Sequence, residues 1–400
     1  MGVMIDLPEA VRAMGTRGPQ WQSWVDGLPR MIRDRFDDWD LRADGPADYG
    51  HCSIVLPVRT GDGVPAMLKA SFPDDESEHE HLALRRWAGA GAVRLLRADP
   101  HRRTMLLERL HRRNLNELWD IEACEIVAEL YGRIHVPPLP QVRSLAECTS
   151  RWTADLLRLP RNAPIPHRLV EQAITLGRDL VTDPGITDTL IHGDLHYENV
   201  LAAEREPWLV IDPKPMNGDP HYEVAPMLWN RWDELAGYVR DGVRRRLSAL
   251  VDASGLDADR ARAWVIVRMV HNAMWELTET PEPDADWLTR CVAIAKAVQD
   301  ERSDDLVCEV IQCAAATELL SELAPSQLVG ADDYRAHVLH LICAHVHFSQ
   351  HDLQLAVERQ QSVQIHHIPL AHRDSPELKS ISSADTELVG PAGVLGLDGP

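Results

Sequence analysis

The sequence predicts an α+β chain of two lobes, a small sheet-bearing lobe followed by a mostly helical one. Three observations carry that expectation. Apolar runs at strand spacing, joined by hairpin signals, occupy roughly the first 110 residues. From there to about residue 300, apolar positions recur at helical spacing, interrupted by short strand-like runs between Leu190 and Asp212. At 400 residues the chain also exceeds what one hydrophobic core usually serves.

Trp21 to Trp39 has helical periodicity, with Trp24, Leu28, Ile32 and Phe36 on one face. Ser53 to Arg59 and Val64 to Ala70 read as strands flanking Thr60-Gly61-Asp62-Gly63, a hairpin signal. Met67 and Lys69 share one face of the second strand, because side chains alternate. A helix is expected over Asp74 to Ala88. Val93 to Asp99 and Thr104 to Leu110 form a second hairpin around Pro100 to Arg103. In the second lobe, Leu118, Ile121, Ile126, Val127, Leu130, Tyr131 and Ile134 follow helical spacing until Pro137-Pro138. Trp152 to Leu159, Leu169 to Val181, Val239 to Val251, Ala258 to Leu277 and Trp287 to Val298 read as further helices.

Between these helices lies Leu190-Ile191-His192-Gly193-Asp194-Leu195-His196-Tyr197-Glu198-Asn199-Val200-Leu201, followed by Trp208-Leu209-Val210-Ile211-Asp212. It reads as a strand, a polar loop, a strand, a tight turn at Ala203 to Glu206, and a strand, with the loop at the mouth of a small sheet. Loops held this way commonly carry chemistry. Asp194 can accept a proton from an attacking hydroxyl. Asn199 offers a neutral oxygen ligand, and Asp212 offers a carboxylate. Such ligands suit Mg²⁺. A base plus two ligands around a magnesium-bound triphosphate is the minimum for phosphoryl transfer to an alcohol. Asp and Asn also cap loops, so the spacing has to be read with the rest of the chain.

The spacing H-G-D-x-x-x-x-N, then a strand ending Ile211-Asp212, resembles the catalytic loop and metal-binding aspartate of the protein-kinase-like fold, which protein kinases write H-R-D and D-F-G. His192-Gly193-Asp194 with Asp212-Pro213-Lys214 resembles the variant found in aminoglycoside phosphotransferases. Leu190 through Pro226 is most similar to the streptomycin (aminoglycoside) 6-phosphotransferase and hydroxyurea phosphotransferase branch, and the likeness covers roughly residues 20 to 300. The resemblance implies a protein-kinase-like two-lobe fold. Residues 1–110 would be a small mixed β-sheet N-lobe that binds nucleotide. Residues 111–300 would be a mostly helical C-lobe with the catalytic loop and acceptor pocket.

The resemblance also implies roles. Asp194 would be the catalytic base, with Asn199 and Asp212 as magnesium ligands. Lys69 is one of four lysines in the chain, and it would hold the α and β phosphates of ATP. Glu80 on the following helix would be its partner, with Glu76 and Glu78 competing. In Asp48-Tyr49-Gly50-His51-Cys52-Ser53, Gly50 and Ser53 would cover the phosphates, although the loop is poor in glycine. The backbone after Leu106 to Leu110 would meet the adenine edge. Asp219, Glu223, Trp229, Asp233 and Glu276 would line the acceptor pocket, since a cationic acceptor suits carboxylates beside flat aromatic faces. Lys214 would either contact phosphate or pin the turn between Pro213 and Pro215. The implied activity is ATP-dependent phosphorylation of a hydroxyl of streptomycin or a related aminoglycoside, hence antibiotic resistance. Hydroxyurea or another small metabolite is the rival acceptor. A non-catalytic nucleotide-binding module is the rival of another class, and the set Lys69, Asp194, Asn199 and Asp212 argues against it.

A formal net charge of −21 argues against nucleic acid and anionic membrane as partners. No apolar run is long enough to span a bilayer, and the N-terminus lacks a signal-peptide core. Asp6 occupies the position at which a myristoylation motif needs Ser or Thr. Seven scattered cysteines without a C-x-x-C pair point to reduced thiols and the cytoplasm. Leu306 to Leu323 and Tyr334 to Val357 have helical periodicity, giving an extra helical C-terminal extension over 301–360. His340, His347 and His351 share a face there, without a Cys or acid to complete a zinc site. Residues 361–400 read as a flexible tail.

Overall fold

An antiparallel sheet with helices on both faces forms the first lobe of this computed structural model, which describes residues 6–299. The helices expected over 301–360, the His340, His347 and His351 face, and the tail over 361–400 lie outside the described residues. Two helices, α1 (Glu9–Met14) and α2 (Pro19–Asp38), precede the strands β1 (Leu41–Ala43), β2 (Asp48–Tyr49), β3 (Ser53–Thr60) and β4 (Pro65–Ser71). Then come α3 (Glu80–Trp87), β5 (Leu95–Asp99) and β6 (Thr104–Glu108). The sheet order is β1-β3-β4-β6-β5, with β2 paired to β3.

Strand alternation sorts the two faces. Ile54, Leu56 and Val58 of β3, Ala66, Leu68 and Ala70 of β4, and Leu106 of β6 pack under Leu28, Ile32 and Phe36 of α2. The other face of β6 presents Met105 and Leu107, which join Ala83, Leu84 and Trp87 of α3 in the core shared with the second lobe. Lys69 lies in register with Val55 on one side and Met105 on the other, at the centre of the sheet.

The second lobe contains α4 (Asp120–Ile134), α5 (Leu145–Leu156), α6 (His167–Leu180), β7 (Thr189–Ile191), β8 (Val200–Ala202), β9 (Trp208–Val210) and β10 (Met216–Gly218). It continues through α7 (Ala225–Trp229), α8 (Val239–Ser254), α9 (Ala258–Glu279) and α10 (Ala285–Ala297). A sheet-bearing lobe followed by a mostly helical one is the two-lobe order expected from the sequence. No helix among the described residues is long and apolar enough to cross a membrane.

Three expectations need correction. The helix expected from Asp74 starts at Glu80, because the Asp74 carboxylate accepts from the Ser77 amide at 2.7 Å and bends the chain into a turn first. The helix expected from Trp152 starts at Leu145, where the Ser144 hydroxyl accepts from the Glu147 amide. The expected small sheet is two separate ribbons: β8 pairs with β9, while β7 pairs with β10. The short polar run Met216-Asn217-Gly218 carries no strand signal of its own; it is a strand because β7 offers it an edge.

Arg246 of α8 is fully buried and knits this lobe together. It donates to the Asp120 carboxylate at 3.2 Å and to the carbonyls of Asn230 at 2.7 Å and Arg231 at 3.2 Å. Its guanidinium also lies over the Tyr197 ring, next to the catalytic loop. Arg246→Ala strands these acceptors, so it should lower unfolding stability by about 3 kcal/mol or more, read from urea denaturation. A loss within about 0.5 kcal/mol, typical of a surface change, would show that the arginine does not hold the lobe.

Candidate active site

A buried ammonium cannot stay charged without partners, and Lys69, 4% exposed, has two. Its Nζ donates to both oxygens of Glu80, at 2.7 and 2.8 Å, and to Oδ1 of Asp212 at 2.5 Å. The sheet supplies Lys69, the first turn of α3 supplies Glu80, and the residue after Ile211 supplies Asp212. Burial works against the Lys69 charge, but the Asp212 and Glu80 carboxylates raise its pKa above the usual value. Asp212 goes the other way: despite burial, Lys69 and Lys214 hold it at about 2. Of the three glutamates weighed as partner, Glu80 is the one in contact. Glu78 pairs with Arg103 and Glu76 with Arg143.

The catalytic-loop residues are held by backbone contacts. His192 Nε2 meets the Ile211 carbonyl at 2.9 Å, and its Nδ1 accepts from the Asp194 amide at 3.2 Å. Burial keeps this imidazole below its usual pKa, hence neutral. The Asn199 amide nitrogen donates to the Asp194 carbonyl at 2.9 Å, which leaves its oxygen as the ligand end. The Lys214 amide donates to the His192 carbonyl at 2.8 Å. Gly193 sits at φ +83°, and a Cβ there would run into the Lys214 carbonyl, so this position needs glycine. Asp212 sits at φ +55°, a conformation that costs a non-glycine residue about 1 kcal/mol or more and persists only where surroundings impose it.

Among the described residues, no group of three or more His, Cys, Asp or Glu is placed to hold a metal ion. One ionised carboxylate, Asp212, and one amide oxygen, Asn199, are the sparse oxygen set of a cation that takes its other ligands from phosphate and water, so the residues present fit Mg²⁺.

Asp194 opens onto a cavity of about 490 Å³, lined also by Gly193, Lys214, His51, Trp152, Trp229, Trp275, Trp287, Glu276 and Glu279. Trp152 and Trp275 meet edge to face at 4.9 Å, and Trp229 and Trp287 do so at 6.2 Å. Burial raises the Asp194 pKa to about 6, with Arg268, His192 and Lys214 opposing.

Of the expected pocket residues, Trp229 and Glu276 line this cavity, and Asp219, Glu223 and Asp233 do not. Asp219 is 2% exposed and is consumed by His221, the Trp264 indole at 2.7 Å and Arg260 at 2.5 Å. Against burial, His221 and the Trp264 indole hold its pKa at about 2. Glu223, fully buried, accepts from the Gly193 amide at 2.5 Å and meets His135 Nε2 at 3.0 Å. It braces the catalytic loop from below. Asp233 lies exposed on a surface turn. Gly50 and Ser53 close the turn between β2 and β3, where the Gly50 amide donates to the Ser53 carbonyl at 3.0 Å. His51 between them reaches the cavity instead.

Sequence reasoning missed Arg268, which donates to the Gly193 carbonyl at 2.6 Å and the Tyr222 carbonyl at 3.0 Å. It also missed Trp152 and Trp287 as cavity walls. No local signal marks the two tryptophans, whereas Arg268 stands one turn before Asn272 on the cavity face of α9, a spacing that could have found it. Only α9 announced itself, with Asn272, Trp275 and Glu276 at helical spacing on one side.

Burial of Asp194 has a measurable cost. Its pKa rises from 3.8 unfolded to about 6 folded, so folding stability falls as pH climbs through that window and stays lower above it. Asp194→Asn should therefore raise the unfolding free energy near pH 7.5, by up to about 3 kcal/mol, and much less near pH 4. Calorimetry at the two pH values tests this; equal shifts at both would show that desolvation of the carboxylate is not the cause.

The sequence model of the aminoglycoside/hydroxyurea antibiotic resistance kinases matches residues 38–280. The chain is 39% identical over 288 residues to a streptomycin 6-kinase of Streptomyces glaucescens, covering 69% of this chain and 92% of that one. It is 38% identical over 285 residues to a streptomycin 6-kinase of Streptomyces griseus, covering 69% and 92%. It is also 38% identical over 288 residues to a hydroxyurea phosphotransferase of Kitasatospora aureofaciens, covering 70% and 82%. A match over more than half the chain, on the residues that build the cleft, leads to one conclusion: this chain belongs to the aminoglycoside/hydroxyurea antibiotic resistance kinase family.

Proposed function

We propose that the protein transfers the γ-phosphoryl group of ATP to a hydroxyl of streptomycin or a related aminoglycoside, and so confers resistance. The observation that carries this reading is the convergence of Lys69, Asp212, Asn199 and Asp194 beside a cavity walled by tryptophans and edged by Glu276 and Glu279. A volume of about 490 Å³ suits a drug-sized ligand, whereas hydroxyurea, with five heavy atoms, would leave most of it empty. Carboxylates beside indole faces suit a cationic acceptor. Use of ATP supports a cytoplasmic location, as do the free cysteines Cys52, Cys124, Cys148 and Cys291 among the described residues.

In this mechanism Lys69 turns from Asp212 toward the α and β phosphates, steadied by Glu80. Asp212 and the Asn199 oxygen would hold magnesium, which when bound would neutralise triphosphate charge. Asp194 orients the acceptor hydroxyl and takes its proton late, as the new O–P bond forms and the bond from γ-phosphorus to the bridging oxygen breaks toward ADP. His192, Glu223 and Arg268 keep Asp194 in place through the loop backbone. Lys214, beside both carboxylates, offsets the charge that develops at the γ-phosphoryl group.

The test is a panel of streptomycin, a second aminoglycoside and hydroxyurea, each incubated with ATP and magnesium, with mass detection of an added phosphate. Streptomycin should be modified, with kcat/KM rising with pH up to about 6 as Asp194 ionises and then levelling. Asp194→Asn should lower kcat by about 10²-fold or more while ATP still binds. Turnover of hydroxyurea alone would overturn the choice of acceptor, and full activity in Asp194→Asn would overturn the mechanism.

A further inference from the structure

Residues 6–37 precede the stretch that the family's sequence model matches, yet they reach the turn between β2 and β3. Arg17 Nη1 donates a 2.7 Å hydrogen bond to the carbonyl of His51, at the tip of the turn between β2 and β3. The same guanidinium lies over the Trp21 ring, 4.8 Å from its centroid. Trp21 stacks flat on Phe72, at 3.7 Å and 3°. The Phe72 amide in turn donates to the Cys52 carbonyl at 2.8 Å. The contacts therefore close a ring: Arg17, Trp21, Phe72, Cys52, His51 and back to Arg17. His51 lines the cavity that holds Asp194 and Lys214.

This ring answers a deficiency in the loop. Loops that cover phosphates usually rely on several glycines, so that backbone amides approach the anion closely. Here Gly50 is followed by His51 and Cys52, and their shared peptide has to be oriented by something else. A trans peptide is planar, with its C=O and N–H pointing in opposite directions. Holding the His51 carbonyl outward on Arg17 turns the Cys52 amide the other way and removes a carbonyl dipole that would repel phosphate. Burial, then the Arg17 and Lys214 charges, keep the His51 imidazole below its usual pKa.

We propose that Arg17, seated on Trp21, is a positioning residue for the terminal phosphates of the nucleotide: it fixes the His51–Cys52 peptide so that the Cys52 amide meets them. The inference rests on the kinase reading of the cleft. Its test compares binding of ATP and AMP, both with magnesium, to the full chain and to Arg17→Gln by titration calorimetry. The variant should weaken ATP binding about 10-fold or more, the lower end of what one hydrogen bond to a charged group contributes, and leave AMP binding within about twofold. Trp21→Leu, which removes the seat of the guanidinium, should give the same split. Equal weakening of ATP and AMP would reduce Arg17 to a scaffold residue, and unchanged ATP binding in both variants would remove the clamp altogether. Wild-type protein that binds neither nucleotide would instead overturn the kinase reading itself, and the clamp with it.

Discussion

The Lys69 ammonium is the constraint on which the cleft depends. It sits in the middle of a sheet, out of water, and must be neutralised there. Its two partners come from different elements, and each fixes one: Glu80 sets where α3 docks, Asp212 ties the end of β9 to the first lobe, and the sheet register puts the ammonium between them. Lys214, 3.7 Å from Asp212, adds a second positive charge. The cluster is thus balanced inside the protein, two ammonium groups against two carboxylates.

The contrast between Asp194 and Asp212 follows from this layout. Both are partly buried, but Asp212 touches an ammonium and stays strongly acidic, while Asp194 has only more distant cations and drifts up to about 6. One carboxylate is suited to holding charge and the other to receiving a proton. Two neighbouring acids pushed apart in this way are a recurrent sign of divided chemical labour.

Much of the cleft could be read in the sequence because its signals are local. His192, Gly193, Asp194 and Asn199 lie within one loop, Lys69 lies in a strand with clear alternation, and Lys69 is conspicuous in an arginine-rich chain. The acceptor side was less legible. Asp219 and Glu223 look like pocket acids by composition, but their fate is decided by Arg260, Trp264, His135 and the Gly193 amide, which no spacing rule brings together. The late start of α3 has the same origin in miniature: an Asp74 side chain competes with the helix for a backbone amide. Periodicity reports which face is apolar. It does not report which polar groups will find each other across the core.

One contact set has a bearing on motion. Arg205, in the turn between β8 and β9, grips Glu108 at the end of β6 at 2.7 Å and the carbonyls of Gly89 and Ala92 at 2.6 Å each. The Val93 and Val210 amides add bonds between the same two segments, and the chain at His111 and Arg113 pairs with Ala202. The ribbon of β8 and β9 is thereby riveted to the first lobe along this side. A wide opening of the two lobes there would have to shear these rivets, so this side of the molecule behaves as a fixed spine.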